Sequence, residues 1–427
     1  MNPASAAATA KPSVQVGAEL ATIEGPRIVT SPHARRLLAN SSVSDSTAGA
    51  EWALLLAASS PGASQGDLVA LRSLVAGSVE WDALLRLADH HGTSSLVYQN
   101  LARISDAVPS QILALLRERH ETNIHKSLFL TRELIRILDC LERLGIEVIP
   151  YKGVALSETF YGDLALRQSG DIDLFVRTKD VARVKAAVRE LGFIPRLTIP
   201  AAAERDYIAA GYEATFDSAA GKNLLELQWA LQPRYFAVDF DMDGLFQRAI
   251  SVTVAGRAMK TPSPEDLLLV LSVHAAKHVW GRLIWLRDIA QIMKLQNLNW
   301  GWIEGQAKQI GIERILRLTL LLTNHFLGTA IPAPLERAIA EDRAVLQFAG
   351  EISPAIVRGA TYEQEQVTYF RLMMRLRERR ADRMRFLIRL TFTPGPGEWE
   401  ALRLPAPLFP LYRLVRLGRL AARFARG

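Results

Sequence analysis

The sequence predicts an α+β protein in which a small mixed β-sheet core is flanked by helical N- and C-terminal regions. Apolar residues recur three and four apart from Glu51 to Arg117, and again after Ser263, which is the period of a helix. Between those regions, short β-branched runs such as "IEVIPYKG" (146–153) and "GDIDLFVRT" (170–178) alternate with helical stretches. A chain of 427 residues, 49% of them hydrophobic, has material for a sizeable core and for about two or three domains.

Residues 1–48 open with "MNPASAAATAKPSVQVG", which lacks the basic flank and continuous apolar segment of a secretory signal, and are expected to be disordered. A helical module is expected over 49–128, from "EWALLLAAS", "WDALLRLADHHG" and "SQILALLRERH". The mixed core is expected over 129–260. It begins with an amphipathic helix from about Ile124 to Leu144, which Gly145 stops. The strand ending at Gly153 follows, then helical turns in "VALSETFYG" and the strand of "GDIDLFVRT". The helix "KDVARVKAAVRELGF" comes next, and "YEATFDSAAGKNLLELQWAL" (212–231) reads as a hairpin turning at "SAAGKN". Over 261–427 the chain is helical again, from "SPEDLLLVLSVHAAKHVW" with Ser263 as N-cap, through a Pro-rich loop at 393–410, to a basic terminal helix.

Composition excludes several classes. A single cysteine, Cys140, leaves no internal disulfide and no Cys-rich zinc site, and it fits a reducing, cytoplasmic setting. No apolar run approaches the ~20 residues of a transmembrane segment. The net charge of +7 is uneven: residues 371–389 hold eight arginines against Glu378 and Asp382, and residues 411–427 hold five arginines and no acid. The rest of the chain is therefore slightly acidic, unlike a uniformly basic nucleic-acid scaffold.

The chemistry gathers around "GDID". Side chains alternate along a strand, so Asp171 and Asp173 face one way while Ile172 and Leu174 enter the core. Two carboxylates so close are costly unless a cation neutralises them, and a hard divalent ion such as magnesium or manganese suits oxygen ligands. Glu226, set between leucines in "LLELQW", completes a three-carboxylate cluster for one or two ions if its strand pairs beside Asp171. Such a cluster suits phosphoryl or nucleotidyl transfer. Lys152 and Gly153 end the preceding strand where a phosphate needs positive charge and close backbone approach, and Arg167 and Ser169 come from the other side. An isolated Asp-x-Asp pair also occurs as a solvated edge or turn cap. The order of Lys152, Gly153, Arg167 and Glu226 around this one favours metal.

Taken together, "YKGVAL", "YGDLALRQSGDIDLFV", a helix ending "LGF" and "LLELQW" resemble the bacterial family of uncharacterised nucleotidyltransferases within the DNA polymerase β-like superfamily. "WDALLRLADHHG" and "HAAKHVWGRLIWLRDIA" are similar to that family's flanking helices. The resemblance implies that Asp171 and Asp173 are metal ligands, that Glu226 is the third carboxylate and the base for an incoming hydroxyl, and that a nucleoside triphosphate such as ATP is the donor. The chain departs from the wider superfamily in carrying Lys152, Gly153 and Val154 in place of Gly-Ser, and from the family in carrying Gln228 where a histidine is expected. The acceptor is left open among a small molecule, a peptide, a protein side chain and an RNA end. The alternative function is a catalytically weak nucleotide-binding or RNA-associated protein.

Other residues carry weaker signals. His274, Lys277, His278 and Arg282 are candidate substrate contacts, and the two histidines lack the third ligand or the H-E-x-x-H pattern of zinc. His90 and His91, before Gly92, suit the C-terminal dipole of a helix. Trp81 and Trp280 are expected to be core anchors. Arginines 413, 416, 419, 423 and 426 form a basic stripe over 411–426, which fits weak peripheral contact with a membrane or packing on the chain's own domain.

Overall fold

The computed structural model describes residues 46–199, 201–360, 367–393, 398, 402, 404 and 406–424. Residues 1–45 of the segment expected to be disordered lie outside the described residues, as does half of the Pro-rich loop at 393–410.

Four helices open the described chain: Ser46–Ala58, Gln65–Val75, Trp81–His91 and Ser94–Leu101. Ser64 and Asp67 cap the second reciprocally, and Gly92 ends the third in the left-handed conformation. The next helix is a single element, Ser110–Arg143. It joins the segment read as "SQILALLRERH" to the helix expected from Ile124, and so runs through the expected boundary at residue 128. Its first half packs Leu116 with the N-terminal helices, and its second half packs Leu130, Leu134, Ile137 and Leu141 under the sheet.

The mixed sheet has five strands: β1 (Val148–Pro150), β2 (Ile172–Val176), β3 (Ile194–Pro195), β4 (Glu213–Ser218) and β5 (Gly221–Gln228), in the order β1-β2-β5-β4-β3. β2 is antiparallel to β1 and parallel to β5, and β4 and β5 form the predicted hairpin. Ile172, Leu174 and Val176 pack on one face against helices Ser110–Arg143 and Val181–Glu190. On the opposite face Phe175 stacks on Tyr151, with ring centroids 3.9 Å apart. That face meets the C-terminal helices. A second hairpin, β6 (Ile250–Val254) and β7 (Arg257–Thr261), turns at Ala255 and Gly256, both at positive φ.

Ser263 accepts a hydrogen bond from the Asp266 amide and caps helix Pro264–Lys277, as its position in the sequence predicts. Helices Leu283–Met293, Glu313–Leu327 and Arg343–Val357 bury their apolar faces in the same core as Trp52, Leu54 and Leu55 of the first helix. The helical flanks, remote in sequence, therefore share one interior. Trp280 is fully buried and donates its indole N–H to Thr319 Oγ1 at 2.9 Å.

The terminal helix, Tyr412–Phe424, departs from the stripe its arginines suggest. Arg416 is buried, donates to the Leu390 carbonyl and pairs with the equally buried Glu398, while Leu414 faces solvent. Arg419 also reaches Glu398. The helix packs on its own domain through these contacts. The Arg423 side chain and Arg426 lie outside the described residues. Among the described residues no helix is long and apolar enough to cross a membrane.

Candidate active site

Parallel pairing of β2 with β5 sets Asp173 directly beside Glu226. Asp171 immediately precedes β2, on the same face as Asp173 by strand alternation. The three carboxylates offer oxygens that all lie within 4.8 Å of one another, and among the described residues they are the group of three able to hold a metal ion. Asp173 is buried to 2% exposure, with its Oδ1 facing the Lys152 ammonium. A buried carboxylate grouped with two others, all hard oxygen donors, is suited to a divalent cation of the magnesium type.

The carboxylates destabilise one another's charged forms. Burial, then the Asp173 charge, pushes the Asp171 carboxyl up to about 6. Burial, then Asp173 and Glu213, pushes Glu226 up to about 8. Lys152 opposes them, its Nζ lying 2.9 Å from Asp173 Oδ1. Burial would lower the Lys152 pKa, but the charges of Asp173, Asp171 and Glu226 hold it above the ordinary value. Gly153 follows at φ +65°, and a Cβ there would come 3.3 Å from the Asp171 carbonyl oxygen. The glycine thus lets the loop after β1 press against the start of β2.

Gln228, the position where a histidine is expected, orients the third carboxylate. Its Nε2 donates to Glu226 Oε2 at 3.3 Å, and its Oε1 accepts from the Tyr151 hydroxyl at 2.8 Å. Glu213, opposite Gln228 on β4, accepts a hydrogen bond from the Tyr212 hydroxyl. Lys277 Nζ lies 3.3 Å from that same hydroxyl.

Arg167 is held by neighbouring side chains. Its Nε and Nη2 each donate to a different oxygen of the fully buried Asp288, both at 2.9 Å, and Nη1 donates to Ser169 Oγ at 3.1 Å. The Tyr161 hydroxyl is a further donor to Asp288. Arg167 and Ser169 therefore brace the segment leading into Asp171.

His274 and His278 stand with ring centroids 4.8 Å apart, both beside Trp285. Burial, then the neighbouring Lys152 charge, holds His274 well below the ordinary imidazole value. Burial and Lys277 bring His278 to about 3. Both are neutral at pH 7. Arg282 is exposed, with its guanidinium 5.9 Å from the Trp285 ring centroid. Val279 and Trp280, just after the helix, both adopt positive φ, a conformation rare for bulky side chains that holds His278 and Gly281 at the cavity wall.

Every site residue singled out in the sequence lines one cavity of about 1080 Å³. The structure adds Lys126, which reaches this cavity from helix Ser110–Arg143, together with Glu213. It also adds the supports Tyr151, Tyr212 and Asp288. The dipeptide "YK" at 151–152 and the acid opening β4 are signals for Tyr151 and Glu213; Asp288 stands beyond the histidine pair in the sequence, but nothing there ties it to Arg167.

His91 differs from its reading as a dipole partner. His91 is fully buried, and its Nδ1 accepts from the Leu283 amide at 3.0 Å. Burial, with His90 and Arg282 nearby, lowers it to about 3, so it carries no charge for a dipole to favour. His90 Nε2 lies 3.1 Å from the Gly281 carbonyl oxygen.

A family described as "Uncharacterised nucleotidyltransferase" matches residues 77–328, more than half of the chain. No curated protein and no solved structure matches it.

Proposed function

The chain belongs to this family of uncharacterised nucleotidyltransferases, and from that premise we propose that it transfers an NMP group from a nucleoside triphosphate, with ATP the first candidate, to a hydroxyl or phosphate acceptor. The observation that carries the proposal is the register of Asp173 against Glu226, which gathers three carboxylates in the wall of one cavity. Asp171, Asp173 and Glu226 would hold magnesium or manganese, which when bound neutralises the phosphates and favours both the attacking and the leaving oxygen.

The acceptor oxygen forms a bond to the α-phosphorus as the bond from that phosphorus to the bridging oxygen breaks. Pyrophosphate leaves, and a hydroxyl acceptor's proton passes to the Glu226 carboxylate. Lys152 offers its ammonium to the phosphates, and Gly153 allows them close to the backbone. Arg167 and Ser169 act by position, fixing the loop that presents Asp171. His274 and His278, being neutral, orient substrate by hydrogen bonding, while Lys277 and Arg282 supply charge along the wall. We assign acceptor selection to the helical regions on either side of the core, with a small molecule, a peptide, a protein side chain and an RNA end as the classes to test. The single Cys140 and the absence of a membrane-spanning helix among the described residues support a cytoplasmic setting.

Pyrophosphate release from each of the four nucleoside triphosphates, with magnesium and a cell extract as acceptor source, tests this reading. We expect release by the wild type and none by Asp171→Ala/Asp173→Ala. Equal signals from the two folded proteins would overturn it in favour of a binding protein.

A further inference from the structure

The three carboxylates already have a cation among them. Lys152 Nζ lies 2.9 Å from Asp173 Oδ1, in a side chain only 10% exposed, and the charges of Asp171 and Glu226 act on it as well. We propose that this site takes a single divalent cation and that the Lys152 ammonium stands in the place of a second one. The inference rests on the nucleotidyltransferase reading above and deepens it.

Two-metal phosphoryl-transfer sites hold their ions about 3.5–4 Å apart, on opposite sides of the reacting phosphorus. A carboxylate shared by both ions must present oxygen to each of them. Asp173 is the most buried of the three acids, with Asp171 two residues before it in sequence and Glu226 beside it on β5. The ammonium is on Asp173 already. The ammonium engages one lone pair of Oδ1, and that oxygen keeps its other lone pair for one ion.

The ammonium is also confined. Gly153, at φ +65° and ψ −136°, carries the chain sharply away after Lys152, and its backbone lies against the Asp171 carbonyl. Tyr151, whose ring centroid is 5.1 Å from Lys152 Nζ, is fixed by Gln228 and Phe175. Arg167 cannot take over the role, because Asp288 and Ser169 hold it. One divalent ion and one ammonium balance three ionised carboxylates. Lys126, Lys277 and Arg282 on the cavity wall then provide fixed positive charge for the oxygens of a triphosphate.

The test counts ions rather than turnover. Manganese is titrated into the full-length protein saturated with a non-hydrolysable ATP analogue, and bound ions are counted by electron paramagnetic resonance, which also reports spin coupling between neighbouring ions. We expect one uncoupled ion per chain in the wild type and two coupled ions in Lys152→Met. Two coupled ions in the wild type, or one in both proteins, would overturn the inference and leave the metal site standing. If Lys152→Met does not fold, the wild-type count decides alone. An Asp171→Ala/Asp173→Ala protein that binds manganese with wild-type affinity would instead sink the metal reading, and this inference with it.

Discussion

Arg167 and Asp288, 121 residues apart in sequence, form a two-pronged ion pair with almost no exposure to solvent, and Tyr161 adds a third donor to the same carboxylate. The pair ties the loop before Asp171 to helix Leu283–Met293 of the C-terminal region. Each charge has the other as its nearest partner, and the pair couples the carboxylate site to the helical wall of the cavity.

Arg167→Met should therefore be strongly destabilising, by about 3–5 kcal/mol, because it leaves Asp288 ionised and buried without its partner. Adding Asp288→Asn should recover much of that loss. Guanidinium denaturation of the single and double variants measures both, and independent, additive losses would show that the pair is not coupled.

How much of this was legible in the sequence follows from the range of each interaction. The common face of Asp171 and Asp173 follows from strand alternation, and Glu226 is conspicuous between Leu225 and Leu227. The β4-β5 hairpin is local and was readable. That β5 lies parallel beside β2, placing Glu226 against Asp173, is a long-range pairing that periodicity can only allow. The sequence alone suggests Arg167 as a phosphate ligand because nothing near it signals a partner in Asp288. The helix Ser110–Arg143 was split in reading because "HETN" interrupts its apolar pattern, yet Asn123 is buried and donates to the Ala165 carbonyl and to Ser95. The β6-β7 hairpin, turning at Ala255-Gly256, lacks the usual Asn-Gly or Asp-Gly signal and is not legible in the sequence.

Gly153→Ala should cost about 1–3 kcal/mol, since φ +65° with ψ −136° is strained for any residue with a side chain. The new Cβ would press on the Asp171 carbonyl and shift both Lys152 and Asp171. We expect weaker manganese binding alongside the lower denaturation midpoint. An unchanged midpoint would mean that the loop relaxes freely.

Glu226→Gln should separate the role of the third acid in stability from its role in turnover. In the wild type, burial raises the folded-state pKa of Glu226 above that of the unfolded chain, so the folded protein binds the extra proton and loses stability as pH rises from about 4.5 to about 8. In EDTA at pH 8 to 9 the glutamine variant should accordingly melt higher than the wild type. The rise in melting temperature that manganese gives the wild type should shrink or vanish in the variant. Nucleotidyl transfer should fall by roughly a hundredfold to ten-thousandfold, the range for loss of a general base. A variant that melts lower than the wild type in EDTA at pH 9 would contradict the repulsion on which the site is argued.

His91 supplies a pH dependence of the opposite sign. It is fully buried, packs on Trp52 with ring centroids 5.2 Å apart, and uses Nδ1 to accept the Leu283 amide. A proton on Nδ1 would abolish that hydrogen bond and place N–H against N–H. The folded-state value of about 3 lies below the 6.5 of an unperturbed imidazole, so below pH 6.5 the unfolded chain binds the proton and the folded chain does not. Stability is then complete above pH 6.5 and declines as pH falls toward 3, with about 2 kcal/mol lost from this group by pH 5. His91→Asn places an oxygen near Nδ1 to accept the same amide but cannot titrate. It should be less stable than the wild type at pH 8, having lost the ring's packing, and its stability should fall less between pH 7 and pH 5, by about that same 2 kcal/mol. Equal slopes in urea denaturation across this window would show that His91 protonates freely in the folded protein, which its burial against Trp52 and its bond to Leu283 forbid.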